Sequence, residues 1–197
     1  MSQDLLHSLV WMDYRLAIVF TVSLPLILLI WAVFQNMEAI QRLLIIYWRV
    51  SSLLAITVYL MIGGIRLGFL TALIARLLIP IALWFWVDLN EEIDDSSPSS
   101  LKLVFTAWRW AVSVYCVLGV IASVPFIRCT FLPELLGTEY CQVWQQAPWL
   151  YKAYFHSGQT PGFLGILGIL GLGIYILYLA YFVLIRLGKQ GRSAIQR

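Results

Sequence analysis

Charge and histidine are both scarce in this sequence. Of 197 residues, 12% are charged, about half the share usual in soluble domains. Thirteen Lys+Arg against ten Asp+Glu leave a net +3, far below the basic load of a nucleic-acid binder, so no nucleic-acid partner is expected. The two histidines, His7 and His156, both fall outside the long apolar runs. Two histidines facing each other inside a bilayer are what a bis-histidine haem needs, so neither that haem nor a histidine-ligated chlorophyll is expected from this chain alone. Membrane proton relays use Asp, Glu or His, and the apolar runs hold none. A Walker loop, a zinc signature and a nucleophile–base pair are missing as well, so no catalytic or metal-binding residue is nominated. The N-terminus opens Met-Ser-Gln-Asp without a basic leader region or a small-residue cleavage site, unlike a signal peptide.

Apolar residues are what the chain has instead. They make up 61% of it, with a mean hydropathy of +0.86. One soluble core of this size could not hide that much apolar surface. A lipid-spanning helix needs about 20 mostly apolar residues, and five windows qualify: 16–34, 43–62, 67–87, 103–126 and 162–185. The expected fold is an all-α membrane domain, a bundle of five helices with one larger outer loop at 127–161 and a basic cytoplasmic tail at 186–197. Leu5, Leu6, Leu9 and Met12 follow helical spacing, which suggests a short interfacial helix ahead of the first span.

Orientation follows from the bases. Arg186, Lys189, Arg192 and Arg197 crowd the end of the chain, and the positive-inside rule puts that end in the cytoplasm. Trp31, Trp48, Trp84, Trp86, Trp108 and Trp110 then form a belt at the inner boundary. The acidic run Asp88–Asp95 reads as a solvated loop there. It lacks the alternating ligands and central glycine of a calcium loop. Cys129 and Cys141 fall twelve positions apart in the outer loop, where an oxidising compartment permits a disulfide. The alternative is two free thiols.

Three arginines lie inside apolar windows, and intramembrane charge is by default a functional hypothesis. Arg49 and Arg109 sit about two turns from the inner ends of their spans. Their stems can snorkel to the interface or meet Glu38 or Asp88. Arg76 is deeper. It lies twelve residues from Asp88, about 18 Å along a helix, and no acid of the chain is expected at its depth. Pro80 leaves the carbonyl of Arg76 without its helical donor. Two readings stay open for Arg76: a polar ligand or partner group at mid-membrane, or bonds to carbonyls of neighbouring helices. Gly162, Gly165, Gly168 and Gly171 recur every third residue in the fifth window. Such a stripe admits close helix packing, or a flat pigment or quinone ring.

Several longer stretches are distinctive: Trp-Met-Asp-Tyr-Arg-Leu-Ala at 11–17, Glu-Ala-Ile-Gln-Arg-Leu-Leu-Ile-Ile-Tyr-Trp-Arg-Val at 38–50, and Pro-Ile-Ala-Leu-Trp-Phe-Trp-Val-Asp-Leu-Asn-Glu-Glu-Ile at 80–93. Together with Tyr-Cys-Gln-Val-Trp at 140–144 they resemble a cyanobacterial integral membrane protein family of unknown function. That resemblance implies a thylakoid or plasma membrane and supplies no activity. Three functions are open: a non-catalytic accessory or assembly factor of a photosynthetic or respiratory complex, which would make a membrane-protein complex the partner; a transporter of a small anion or lipid using the three arginines; and a membrane enzyme acting on a lipid, quinone or pigment.

Overall fold

The computed structural model describes residues 3–187 and 191–194. Five helices are long and apolar enough to cross a membrane: Gln3–Phe34, Glu38–Ile62, Leu67–Trp84, Ser100–Phe131 and Pro161–Leu187. No strand occurs among the described residues, as expected where lipid offers open backbone groups no partner. We label them α1 (Gln3–Phe34), α2 (Glu38–Ile62), α3 (Leu67–Trp84), α5 (Ser100–Phe131) and α7 (Pro161–Leu187); two shorter helices, α4 (Val87–Asp95) and α6 (Gln146–Phe155), connect them.

Local chemistry sets the ends. Asn36 (φ 51°) turns α1 into α2, and Gly64 (φ 66°) turns α2 into α3. Asn and Gly are the residues that tolerate this left-handed conformation. The Ser99 hydroxyl accepts from the Lys102 amide at 3.1 Å and caps α5. Thr160 does the same for Phe163 at 3.2 Å, with Pro161 in the first position of α7.

The boundaries differ from the apolar windows in instructive ways. The first span starts at Gln3, not at residue 16, so the stretch around Leu5–Met12 is the opening of α1 and not a separate interfacial helix. Asp13 and Arg15 interrupt the hydropathy, but they do not interrupt the helix. The third span ends at Trp84. The acidic run is not a loop: it forms α4, whose Leu89 and Ile93 are fully buried. Two apolar side chains four residues apart give an otherwise charged segment one face to dock. The start of the loop expected at 127–161 is also helical, continuing α5 to Phe131. The tail folds back over α4: Arg192 Nε donates to the Phe85 carbonyl at 3.1 Å, and the Ala194 amide donates to Asp88 at 2.8 Å. Lys189 and Arg197 lie outside the described residues.

α1 is bent. A π-helical turn at Ile18–Ser23 leads into Pro25. Proline lacks an N–H, so the carbonyl four residues back, that of Thr21, loses its helical donor. The Tyr47 hydroxyl of α2 donates to it at 2.6 Å. The Trp108 indole of α5 donates to the carbonyl of Phe20 at 2.9 Å, inside the π turn. A freed carbonyl in lipid costs several kcal/mol, so these two aromatic donors hold the bend. They also tie α1, α2 and α5 around a core that includes Leu28, Leu43, Leu44, Phe105 and Val112.

Candidate functional site

Polar groups inside the bundle fall into separate clusters. The largest joins α1, α3 and α5. One Asp13 oxygen accepts from Arg76 Nη2 in an ion pair. The other accepts from the Tyr115 hydroxyl at 3.0 Å. Arg76 Nη1 lies 3.4 Å from Ser123 Oγ, and Arg76 is only 8% exposed. The guanidinium lies across Gly119, where an added Cβ would collide with it. The expectation that Arg76 meets no acid of this chain is therefore corrected. Asp13 lies ten residues into α1 and Arg76 nine into α3. At about 1.5 Å per residue the two reach similar depth from the same end. Starting the first span at residue 16 left this acid outside the bilayer. Pro80 sits inside α3, one turn beyond Arg76.

Arg109 has a different setting. Its guanidinium stacks on Trp84, 4.1 Å from the ring centroid, and donates to Asn90 Oδ1 on α4. Trp84 is itself fixed by donation to Ser113 Oγ at 2.9 Å. The acidic helix thus supplies a neutral amide to this arginine; the anticipated Asp88 is occupied by Ser193 and Ala194.

Arg49 lies in a third place. It lines a cavity of about 380 Å³ between α2, α3 and α7, together with Arg42, Tyr178, Phe182 and Arg186. Its Nη1 is 3.5 Å from the Tyr178 hydroxyl, and among the described residues no carboxylate forms an ion pair with it.

The glycine stripe packs α7 on α2. A Cβ on Gly165 would meet Gly63 Cα at 3.0 Å, one on Gly168 would meet the Leu60 amide nitrogen at 2.9 Å, and one on Gly171 would meet Ile56 at 3.3 Å. Gly162 faces open space. Three residues turn a helix by about 300°. A stripe at that spacing rotates steadily, and its first member has left the contact. Helix backbone and side chains, not a flat ring, lie against the other three.

Above the bundle, residues 124–155 form a cap of short helical turns. Cys129 and Cys141 are joined by a disulfide. Closing a loop of about a dozen residues is worth roughly 3 kcal/mol in the chain-entropy model. Phe126 stacks on Tyr140, and Trp144 packs edge-on against Phe126. Burial here pushes the Tyr140 phenol up, against the pull of nearby Arg128. The Tyr14 hydroxyl of α1 donates to the Trp144 carbonyl, so the cap is anchored one residue from Asp13. His156 contacts the Tyr59 hydroxyl at 3.1 Å. No group of three potential metal ligands occurs among the described residues.

Asp13 and Tyr115 are the site residues that sequence reasoning missed. The available signal was the helical continuity of residues 3–17 across two charges. With it, Asp13 and Arg76 count to matching depths.

No curated protein matches this chain. No solved structure matches it either. A family is nonetheless identified by sequence over almost the full length: the chain belongs to the family described as a protein of unknown function (DUF3177), which matches residues 7–195.

Proposed function

We propose that this chain is a non-catalytic integral membrane protein that serves as an accessory or assembly factor of a photosynthetic or respiratory membrane complex. The proposed setting is the thylakoid or plasma membrane of a cyanobacterium. The N-terminus is outside or lumenal, and the C-terminus is cytoplasmic. The observation that carries the reading is the dispersal of Arg49, Arg76 and Arg109 into three separate places. A transporter built on these arginines needs them along one path. An enzyme anchored at Arg76 needs an acid, base or nucleophile free to act there. Asp13 is held by both Arg76 and Tyr115, and the neighbouring Cys116 thiol is fully buried. What the molecule offers outward is surface: Trp110, Phe131, Tyr154 and Phe155 are each more than half exposed, and aromatics are favoured at protein interfaces.

The test is a mild-detergent pull-down from the native membrane, read by mass spectrometry and an absorption spectrum. Recovery in near-equal amounts with subunits of one photosynthetic or respiratory complex is the expected result. Recovery of the chain alone, with lipid, would overturn the reading and favour transport.

The orientation has its own check. Cys129 and Cys141 should take up an impermeant maleimide only after an impermeant reductant is added to the outer face of intact cells or spheroplasts. Labelling that instead requires access from the cytoplasmic side would invert the topology.

A further inference from the structure

We propose that the cavity between α2, α3 and α7 binds the head group of an anionic phospholipid, with Arg49 at its floor and Arg42 and Arg186 at its mouth. Arg42 and Arg49 are seven residues apart on α2, so they share one helix face about 10 Å apart in depth. Tyr178 and Arg186, eight residues apart on α7, both line the cavity, Tyr178 beside Arg49 and Arg186 further along the helix. One phosphodiester can be met by the inner guanidinium and the Tyr178 hydroxyl while its outer substituents face the two rim arginines. Charge-assisted bonds from guanidinium to phosphate are strong and directional.

Among the described residues, compensation for Arg42 and Arg49 is thin. The ion pair of Arg42 is with Glu38, whose side chain is 69% exposed, and a solvated pair of that kind contributes little. Arg49 has the Tyr178 hydroxyl at 3.5 Å and, among the described residues, no ion pair. An arginine at this depth is costly, and a phosphate offsets that cost.

The walls select a lipid over a free anion. Leu78 and Phe182 line the cavity. Ile45 and Ile81, also in its lining, are 45% and 54% exposed. The apolar wall therefore continues onto the lipid-facing surface, where acyl chains lie and inorganic phosphate has nothing to contact. This inference rests on the cavity alone and stands or falls separately from the accessory role.

The experiment uses the full chain, delipidated in detergent, with labelled phosphatidylglycerol and phosphatidylcholine as probes. Phosphatidylglycerol should bind at least about tenfold more tightly. Arg49→Gln and Arg186→Gln should each weaken it by about fivefold to tenfold, and Arg49→Lys should restore part of the loss. Arg66→Gln, at the opposite end of α3, should change nothing. Excess inorganic phosphate should fail to displace the lipid. Equal binding of the two lipids, unchanged binding by Arg186→Gln, or full displacement by phosphate would each overturn the proposal. Arg186→Gln carries the test by itself if Arg49→Gln does not fold, because its side chain is at the rim.

Discussion

Asp13→Leu and Arg76→Leu are each expected to destabilise the protein by about 3–5 kcal/mol, because each leaves one buried charge without its partner. The double variant Asp13→Leu with Arg76→Leu is expected to lose much less than the sum. Two apolar side chains remove both desolvation costs together, and such replacements of buried pairs are often close to neutral. The measurement is a double-mutant cycle on unfolding in detergent micelles, followed by tryptophan fluorescence. A coupling energy near zero would mean that the ion pair between α1 and α3 contributes nothing. The cycle also bears on function. If the double variant is stable and still recovers the partner complex, the Asp13–Arg76 pair serves the fold. If it is stable and recovers nothing, the pair has a role in partner contact beyond stability.

The second large effect concerns the α2–α7 seam. Lipid tails are as apolar as leucine, so helices in a bilayer associate through close packing more than through water exclusion. A Cβ on Gly63 would come within 2.5 Å of Gly165 Cα, and one on Gly168 within 2.9 Å of the Leu60 amide nitrogen. Both obstacles are backbone, so neither can rotate away. Gly63→Ala and Gly168→Ala are each expected to cost about 1–3 kcal/mol, as overpacking does. Gly162→Ala and Gly173→Ala meet nothing within 4 Å. They should be neutral, or gain up to about 1 kcal/mol from helix propensity at Gly173. Loss at Gly63 and Gly168 beside no loss at Gly162 and Gly173 is the discriminating result. Uniform loss at all four positions would deny the seam its place.

The helices themselves were open to reading along the chain. Four of the five spans lie within a few residues of their apolar windows, because hydropathy over about 20 residues is a property of consecutive positions. The exception is the start of α1. A window score treats Asp13 as a boundary, whereas a helix continues through a charge that a partner neutralises. The partner is 63 residues away, and nothing local announces it. The glycine stripe was visible, but which glycines touch and what they touch depended on the rotation of α7 about its axis. The stabilisation of the bend at Pro25 by Tyr47 and Trp108 was not visible, since those donors come from two other helices.

By itself, then, the sequence determined that this is a helical membrane protein with five spans, three costly arginines and two cysteines in one loop. Those are consequences of composition and spacing, which act through the bilayer on each segment separately. Tertiary structure alone decided which charges are already answered. It closed Arg76 with Asp13 and Tyr115, gave Arg109 an amide and an indole, and left Arg49 facing a cavity with two more arginines at its mouth. Intramembrane charges act over a few ångströms and between helices far apart in the chain, so their fate depends on depth, rotation and neighbour, and only folding sets those three.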